Sequence, residues 1–312
     1  MHVVNRVGER VQKVRQQGFT LIEMAIVLVI IGLIVGGVLV GQSLINAAAV
    51  RAQITQIEKY NTAANTFYGK YGYLPGNITS AAATTFGFSN RACFGPSVGT
   101  GNGILLAGYP TFYNYGYGQG CGEVMLFWTD LSKAGLIDSG FSQAANSCGC
   151  VGSNNVTASS SPSLSAFYPG AKIGNGNFIY VWSGGVNAAT GSDGNNYFTI
   201  EQGITIVNQF TINSTAPGIT VSQAYSMDTK MDDGLPQSGR VLAMGINGGN
   251  GQPAWLGGTT TYKYGGPNPG TAASGSSTTC YDNGGNASIA MQYSLSQNGG
   301  AGVNCALSFK FQ

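Results

Sequence analysis

Apolar and polar positions along the chain fall into two regimes. From Met24 to Val40 every residue is apolar or glycine, and no formally charged residue occurs between Glu23 and Arg51. A run of this length matches the roughly 20 residues that a helix needs to cross a bilayer. Beyond it the pattern changes: Val50, Ile54, Ile57, Ala64, Phe67 and Tyr71 recur at spacings of three, four or seven, the stripe of an amphipathic helix. No proline interrupts Phe19 to Tyr68, so a single helix about 75 Å long is predicted at 1.5 Å per residue. It should end near Gly69 and Gly72, with its first half apolar all round and its second half packed on the C-terminal remainder of the chain.

After the turn Lys70 to Asn77, which holds Gly72, Pro75 and Gly76, the spacing becomes that of a mixed head. Glu123 to Ala134 reads as a short amphipathic helix with Val124, Phe127, Leu131 and Ala134 on one face and Gly135 as its stop; Trp128 reads as core. Cys148 to Ser165 is rich in Ser, Asn and Gly and reads as a surface loop. Strands are predicted at Phe178 to Trp182, Tyr197 to Ile200, Ile204 to Ile212 and Arg240 to Ile246, where β-branched and aromatic residues sit between Gly and Asn clusters. Long Gly-rich loops fill Gly245 to Ser277, and Cys280 to Phe309 repeats the strand signature and is placed to close the sheet. A long helix followed by short strands predicts an α+β fold with an antiparallel sheet. Three parts result: residues 1–18, a helix over 19–71 whose span covers about 19–42, and a head over 72–312.

Composition narrows the setting. Charged residues are 8% of the 312, against roughly 25% in ordinary soluble domains, and 49 glycines make a polar, turn-rich, uncharged surface. The net charge is only +2, and Arg6, Arg10, Lys13 and Arg15 lie ahead of the apolar run beside the single acid Glu9. That leaves no basic excess for a nucleic-acid surface, so no nucleic-acid partner is expected. The same basic flank holds the N-terminus in the cytoplasm and directs the residues beyond the apolar run outward.

All six cysteines, Cys93, Cys121, Cys148, Cys150, Cys280 and Cys305, fall beyond the apolar run, on the side where an oxidising compartment permits disulfides. Sequence proximity favours Cys93 with Cys121 and Cys280 with Cys305, leaving Cys148 and Cys150 to each other or to a partner. Zinc is not expected, because no C-x-x-C occurs and the only histidine is His2. That lone histidine also disfavours Ser-His-Asp and Cys-His catalysis, and no phosphate-binding G-x-x-x-x-G-K-[ST] appears. We expect neither a cofactor nor an enzyme.

One acidic constellation in the head stands out. Ser222 to Asp233 reads as a helix ending at Gly234, which puts Asp228 and Asp232 four residues apart on one face with Asp233 beside them. Acids at a helix C-terminus oppose the macrodipole by about 0.3–1 kcal/mol each. Their compensation is expected from backbone N–H groups of the turn Gly234 to Gly239, from Lys230 or Arg240, or from a weakly held cation, with the structural turn the stronger reading.

The apolar run itself admits a secretory signal peptide, with Ala47-Ala48-Ala49 as its cleavage site, but the run exceeds the 7 to 15 residues of such a core. A plain anchor fits the length yet leaves Glu23 as an unexplained cost of roughly 2.5 kcal/mol or more in hydrocarbon. A buried helix of a soluble core conflicts with the one-sided basic flank.

Gly18-Phe19-Thr20-Leu21-Ile22-Glu23 after a basic leader resembles the cleavage and methylation site of type IV prepilins and type II secretion pseudopilins. The resemblance implies that a prepilin peptidase cuts after Gly18 and methylates the new amino terminus at Phe19, that Glu23 guides assembly, and that residues 1–18 are a cytoplasmic leader. It further implies a subunit held in the inner membrane until it joins a filament with identical or related subunits, through inner-membrane assembly machinery, and reaches the periplasm or cell surface. Lys70 to Asn77, Phe127 to Ile137 and Asp228 to Gly239 resemble segments of large pilin-like proteins. Thr100 to Ile104 resembles a turn that carries calcium-binding aspartates in that family, but Thr100 and Asn102 stand there instead, so no metal is expected. The proline that many members carry in the apolar helix is missing. Gly32, Gly36, Gly37 and Gly41 occupy that region, each costing about 1 kcal/mol of helix propensity relative to alanine and each letting a neighbouring helix approach closely. The rival expectation is a membrane-anchored extracellular binding or hydrolytic domain that never polymerises.

Overall fold

In a computed structural model the described residues are 19–89, 91, 99–107, 116, 118–138, 140, 141, 163–184, 193–207, 211–213, 217–246, 254, 255 and 274–311. The helices are α1 (Leu21–Tyr71), α2 (Ser80–Phe86), α3 (Gly122–Lys133) and α4 (Val221–Met231). The strands are β1 (Asn177–Ser183), β2 (Asn196–Gln202), β3 (Thr205–Val207), β4 (Thr211–Asn213), β5 (Val241–Leu242), β6 (Met244–Gly245), β7 (Ala254–Trp255), β8 (Tyr281–Asp282), β9 (Gln292–Tyr293) and β10 (Leu307–Lys310). The fold is thus a long N-terminal helix followed by an α+β head with an antiparallel sheet. The chain divides into two units, residues 1–47 and 48–312.

In the first unit α1 stands as a lone helix among the described residues. From Phe19 to Ala47 every residue is exposed except the half-buried Gly41. This stretch is long and apolar enough to cross a membrane.

In the second unit the rest of α1 is a core element. Val50, Gln53, Ile57, Tyr60, Ala63, Ala64 and Phe67 are buried along one face at helical spacing. Two glutamines within that region fasten it. The Gln53 Oε1 accepts from the Ile173 N–H at 3.0 Å, while Gln56 accepts from Lys172 N–H at 2.9 Å and donates to the Gly170 carbonyl at 2.9 Å. The helix ends where Gly72, at φ +76°, turns left-handed and its N–H donates to the Tyr68 carbonyl.

The main sheet has the order β1-β2-β10-β5, all pairs antiparallel. Register sorts its side chains into two faces. One face carries Ile179, Val181, Phe198, Ile200, Leu307, Phe309 and Val241. There Phe198 meets Tyr60 of α1 and Phe127 and Trp128 of α3 at centroid distances of 6.4, 5.7 and 6.1 Å, and stacks on Phe311 at 4.2 Å. Tyr60 meets Trp128 edge-on at 4.9 Å. These rings bind α1, α3, the sheet and the C-terminus into one core, and pairs of this kind add about 0.5–1.5 kcal/mol each beyond area burial. The other face carries Tyr180, Trp182, Tyr197, Thr199 and Ser308. Trp182 stacks on Tyr197 at 4.5 Å and donates to the Thr199 hydroxyl at 2.7 Å, and Ser308 donates to the Met244 carbonyl. Both faces are buried, which is why β1 and β2 do not alternate apolar with polar.

Several expectations need correction. Ile204 to Ile212 is not one strand but holds β3 and the first residues of β4, paired as an antiparallel ladder. Arg240 to Ile246 is broken at Ala243, whose N–H turns away to the Pro236 carbonyl, leaving β5 and β6 in different sheets. The α3 helix buries more than the predicted face: Glu123, Met125, Leu126 and Asp130 are buried along with Val124, Phe127 and Leu131, while Ala134, its cap, is half-buried and Lys133 is exposed. Trp128 is core. The short helix α2 adds an element beyond those expected; Thr79 caps its N-terminus by accepting from Ala82 N–H, and Gly87, at φ +77°, ends it. The tail does join the sheet, with β10 lying between β2 and β5.

Cys280 and Cys305 form a disulfide across a sequence separation of 25. Cys121 is also disulfide-bonded, while Cys93, Cys148 and Cys150 lie outside the described residues, as do most of the predicted loops at Cys148 to Ser165 and Gly245 to Ser277. Closing the tail loop should stabilise the head by about 3 kcal/mol on the chain-entropy model. Replacing Cys280 and Cys305 together by serine should therefore lower the melting temperature of the head by several degrees; an unchanged melting curve would contradict this.

Candidate functional site

Two places concentrate the polar chemistry: the start of α1 and the interior of the head. At the first, Thr20 precedes the helix and Glu23 is its third residue. The Thr20 N–H and hydroxyl both donate to Glu23 Oε2 at 2.7 Å, and the Glu23 N–H donates back to the Thr20 hydroxyl at 3.3 Å. This is a reciprocal capping box, which satisfies two of the N–H groups that a helix start leaves without partners. The carboxylate also lies at the positive end of the helix dipole. A threonine three residues before a glutamate is the sequence signature of such a box, and reading the same residues as a processing site passes over it. Gly18 lies outside the described residues, and Phe19 is exposed. At Gly32, Gly36, Gly37 and Gly41 an added Cβ would meet nothing within 4 Å. Among the described residues, nothing within the chain therefore requires glycine at these four helical positions.

In the head, one carboxylate oxygen from each of Asp228, Asp232 and Asp233 lies within 4.8 Å of the others. They do not share a helical face as expected, because α4 stops at Met231 and Asp232 adopts φ −154°, ψ −143°. Each acid instead closes part of the following turn. Asp228 accepts from Gly234 N–H at 3.0 Å and from the Tyr293 hydroxyl at 2.7 Å. Asp232 accepts from the N–H groups of Arg240 and Val241, and Asp233 from Leu235 N–H at 2.9 Å and the Ser238 hydroxyl at 2.6 Å. Gly239 is forced here: its φ is +74° and a Cβ would strike the Asp232 carboxylate. Lys230 donates to the Ser226 carbonyl rather than to these acids. Burial pushes the Asp228 carboxyl up to about 7, with the negative neighbours Asp233 and Asp232 adding to the rise and the Tyr293 and Gly234 hydrogen bonds opposing it.

Two further acids, both on α3, escape the sequence reading. Asp130 forms a fully buried ion pair with Arg91 and accepts from Gly76 N–H at 2.7 Å. Arg91 in turn donates to the Ser89 carbonyl. Burial raises the Asp130 carboxyl above its ordinary range against the opposing pull of Arg91. Glu123 accepts from Gly99 N–H at 2.7 Å, the Asn77 amide at 2.8 Å and Leu106 N–H at 2.8 Å. Its backbone partners Gly99 and Leu106 flank the turn Thr100 to Ile104, which has no carboxylate of its own. The available signal is spacing: Glu123, Phe127 and Asp130 share one helical stripe, so the acids point where the apolar Phe127 points.

A groove of about 710 Å³ runs between α1 and the segment Ser165 to Lys172, and the ion pair of Lys59 with Asp138 lies along it. Both partners are largely exposed, so the pair adds little to stability.

Residues 13–39 match the family model described as the prokaryotic N-terminal methylation motif. No curated protein and no solved structure matches the chain. The chain therefore carries a prepilin-type cleavage and methylation motif at the start of an apolar helix, which implies processing by prepilin peptidase and suggests a membrane-anchored chain with an extracytoplasmic head.

The buried ion pair is open to a direct stability test. Removing one partner leaves the other charged and unpaired in the interior, at a cost of about 3–5 kcal/mol. Arg91→Met or Asp130→Leu alone should lower the denaturant midpoint strongly, and the double variant should recover much of the loss. Single variants as stable as the parent chain would rule out this role.

Proposed function

We propose that the chain is a structural subunit of a type IV pilus-like or type II secretion-like filament, assembled through its N-terminal helix. The observation that carries this reading is the conjunction of the methylation motif with an apolar helix that, among the described residues, has no partner within its own unit. Residues 1–18 act as a cytoplasmic leader, residues 19–42 span the inner membrane before assembly, and residues 72–312 lie outside it as the head. Identical or related subunits, prepilin peptidase and inner-membrane assembly machinery are its partners. The mature filament lies in the periplasm or at the cell surface.

The N-terminal residues take their roles from this assembly. Cleavage after Gly18 creates an amine at Phe19. In the uncleaved chain the described partner of the Glu23 carboxylate is Thr20. In a packed bundle the amine of an adjacent subunit is its natural counter-charge, and in a low-dielectric setting such a pair favours one axial register over others. Gly32, Gly36, Gly37 and Gly41 let neighbouring helices approach closely, which matches the open space around them.

A structural role also agrees with the catalytic inventory. Removing residues 1–18 removes His2, the only histidine, and with it any Ser-His-Asp or Cys-His arrangement.

Intact-mass analysis of the chain recovered from cells tests the reading. A mature chain starting at Phe19 and carrying one added methyl group is expected. A chain starting near Val50, or one that retains Met1, would overturn it.

A further inference from the structure

Glu123 is fully buried in the first turn of α3, and its carboxylate is roofed by the segment Gly99 to Ala107. That segment donates to it from Gly99 and Leu106, and Asn77 donates from the connection between α1 and α2. All three are donors to the carboxylate. Among the described residues the neighbouring cation is Arg91, whose guanidinium is engaged by Asp130; the connection contributes uncharged Asn77, and 99–107 holds no titratable side chain. Among the described residues Glu123 is thus a buried carboxylate without a counter-ion of its own.

The roof is thin on its outer side. Thr100 and Asn102 are exposed, and Gly99, Gly101, Gly103 and Ile104 are half-buried. Its path depends on three left-handed glycines, Gly99, Gly101 and Gly103, at φ +67°, +69° and +82°. Apart from Glu123, its hydrogen bonds are to Asn77 and to the sheet. Gly103 N–H donates to Asn77 Oδ1 at 2.8 Å, and the Asn77 amide donates to Asn102 Oδ1 and the Ile104 carbonyl, both at 3.2 Å. Asn196 donates to the Gly103 carbonyl at 2.7 Å, Leu105 N–H donates to Asn196 at 2.9 Å, and Ser183 donates to the Leu105 carbonyl. Gly99 lies against the Arg91 side chain and Gly101 against Tyr73 and Thr79. Lifting residues 99–104 would take the Gly99 N–H off the carboxylate and admit water on that side, while Leu106 and Asn77 lie outside the lifted stretch.

We propose that residues 99–104 form a proton-regulated cover over Glu123, held shut more firmly as the pH falls below neutrality. Burial pushes the covered carboxyl up to about 7, against its bonds to Gly99, Asn77 and Leu106 and the field of Arg91. Hydration on opening returns it to the ordinary range near 4.5. The closed form then binds the proton more tightly than the open form. Its advantage is full below about 4.5 and is lost as the pH rises to about 7, above which opening no longer depends on pH.

The test is hydrogen–deuterium exchange on the full chain in detergent, with rates corrected for the intrinsic effect of pH. Protection of peptides covering 99–106 should fall by on the order of tenfold per pH unit between about 5 and 7 and level off above. Peptides from the buried half of α1, Val50 to Phe67, should stay better protected than 99–106 at every pH, because they exchange through wider unfolding, which hydrates Glu123 too and so shares its pH dependence. In Glu123→Gln the pH dependence of 99–106 should vanish. A flat wild-type profile, protection of 99–106 equal to that of Val50 to Phe67, or a pH dependence of 99–106 that survives in full in Glu123→Gln would each overturn the proposal; the wild-type comparison decides even if the variant fails to fold.

Discussion

An uncompensated apolar surface governs this molecule. Between Phe19 and Ile45 the helix exposes Phe19, Leu21, Ile22, Leu28, Val29, Leu33, Leu39, Leu44 and many similar side chains, and the described residues of its own unit offer nothing to cover them. Leaving such side chains in water costs about 1.5–3 kcal/mol each, so the total far exceeds the roughly 5–15 kcal/mol by which a domain is stable. Cover by lipid or by other helices would remove that cost, which agrees with the proposed membrane span and filament. The Thr20–Glu23 box fits the same constraint, because in lipid each backbone N–H at a helix start needs an internal partner.

The head answers a different problem with a different device. It has few charges, and it places several of them inside: Arg91, Glu123, Asp130, Glu201 and Asp228 are buried. Arg91 and Asp130 neutralise each other, while the acids Glu123 and Asp228 are held by backbone and side-chain donors from distant segments. Such contacts fix how loops lie on the core more than they add stability, since desolvation offsets much of their attraction. The aromatic cluster of Tyr60, Phe127, Trp128, Phe198 and Phe311 supplies the cohesion. It also fastens the second half of α1 to the sheet.

Much of this is legible in the chain, and the failures have physical reasons. The long helix and its end at Gly72 come from strong periodicity and glycine punctuation, and the strands β1 and β2 from β-branched and aromatic runs between Gly and Asn clusters. The acidic turn is located by its spacing, but the exit of Asp232 from α4 is not, because backbone N–H groups of Arg240 and Val241, eight and nine residues on, draw its carboxylate out of helical register. Gln53 and Gln56 escape notice because polar side chains on an amphipathic helix read as solvent-facing, while here they accept and donate across to residues 170–173. Glu123 and Asp130 are hidden for the same reason. Binary patterning assigns a carboxylate outward, and only tertiary donors justify turning it in.

The apolar half of α1 is, on this account, an assembly element keyed by the charge of Glu23. Filament incorporation of Glu23→Gln and Glu23→Val subunits, measured beside the parent chain in the same cells, separates charge from capping, since glutamine retains an N3 partner for Thr20 and valine does not. Both variants should enter the membrane normally, and both should be largely excluded from filaments. Normal incorporation of either would contradict a role for the charge.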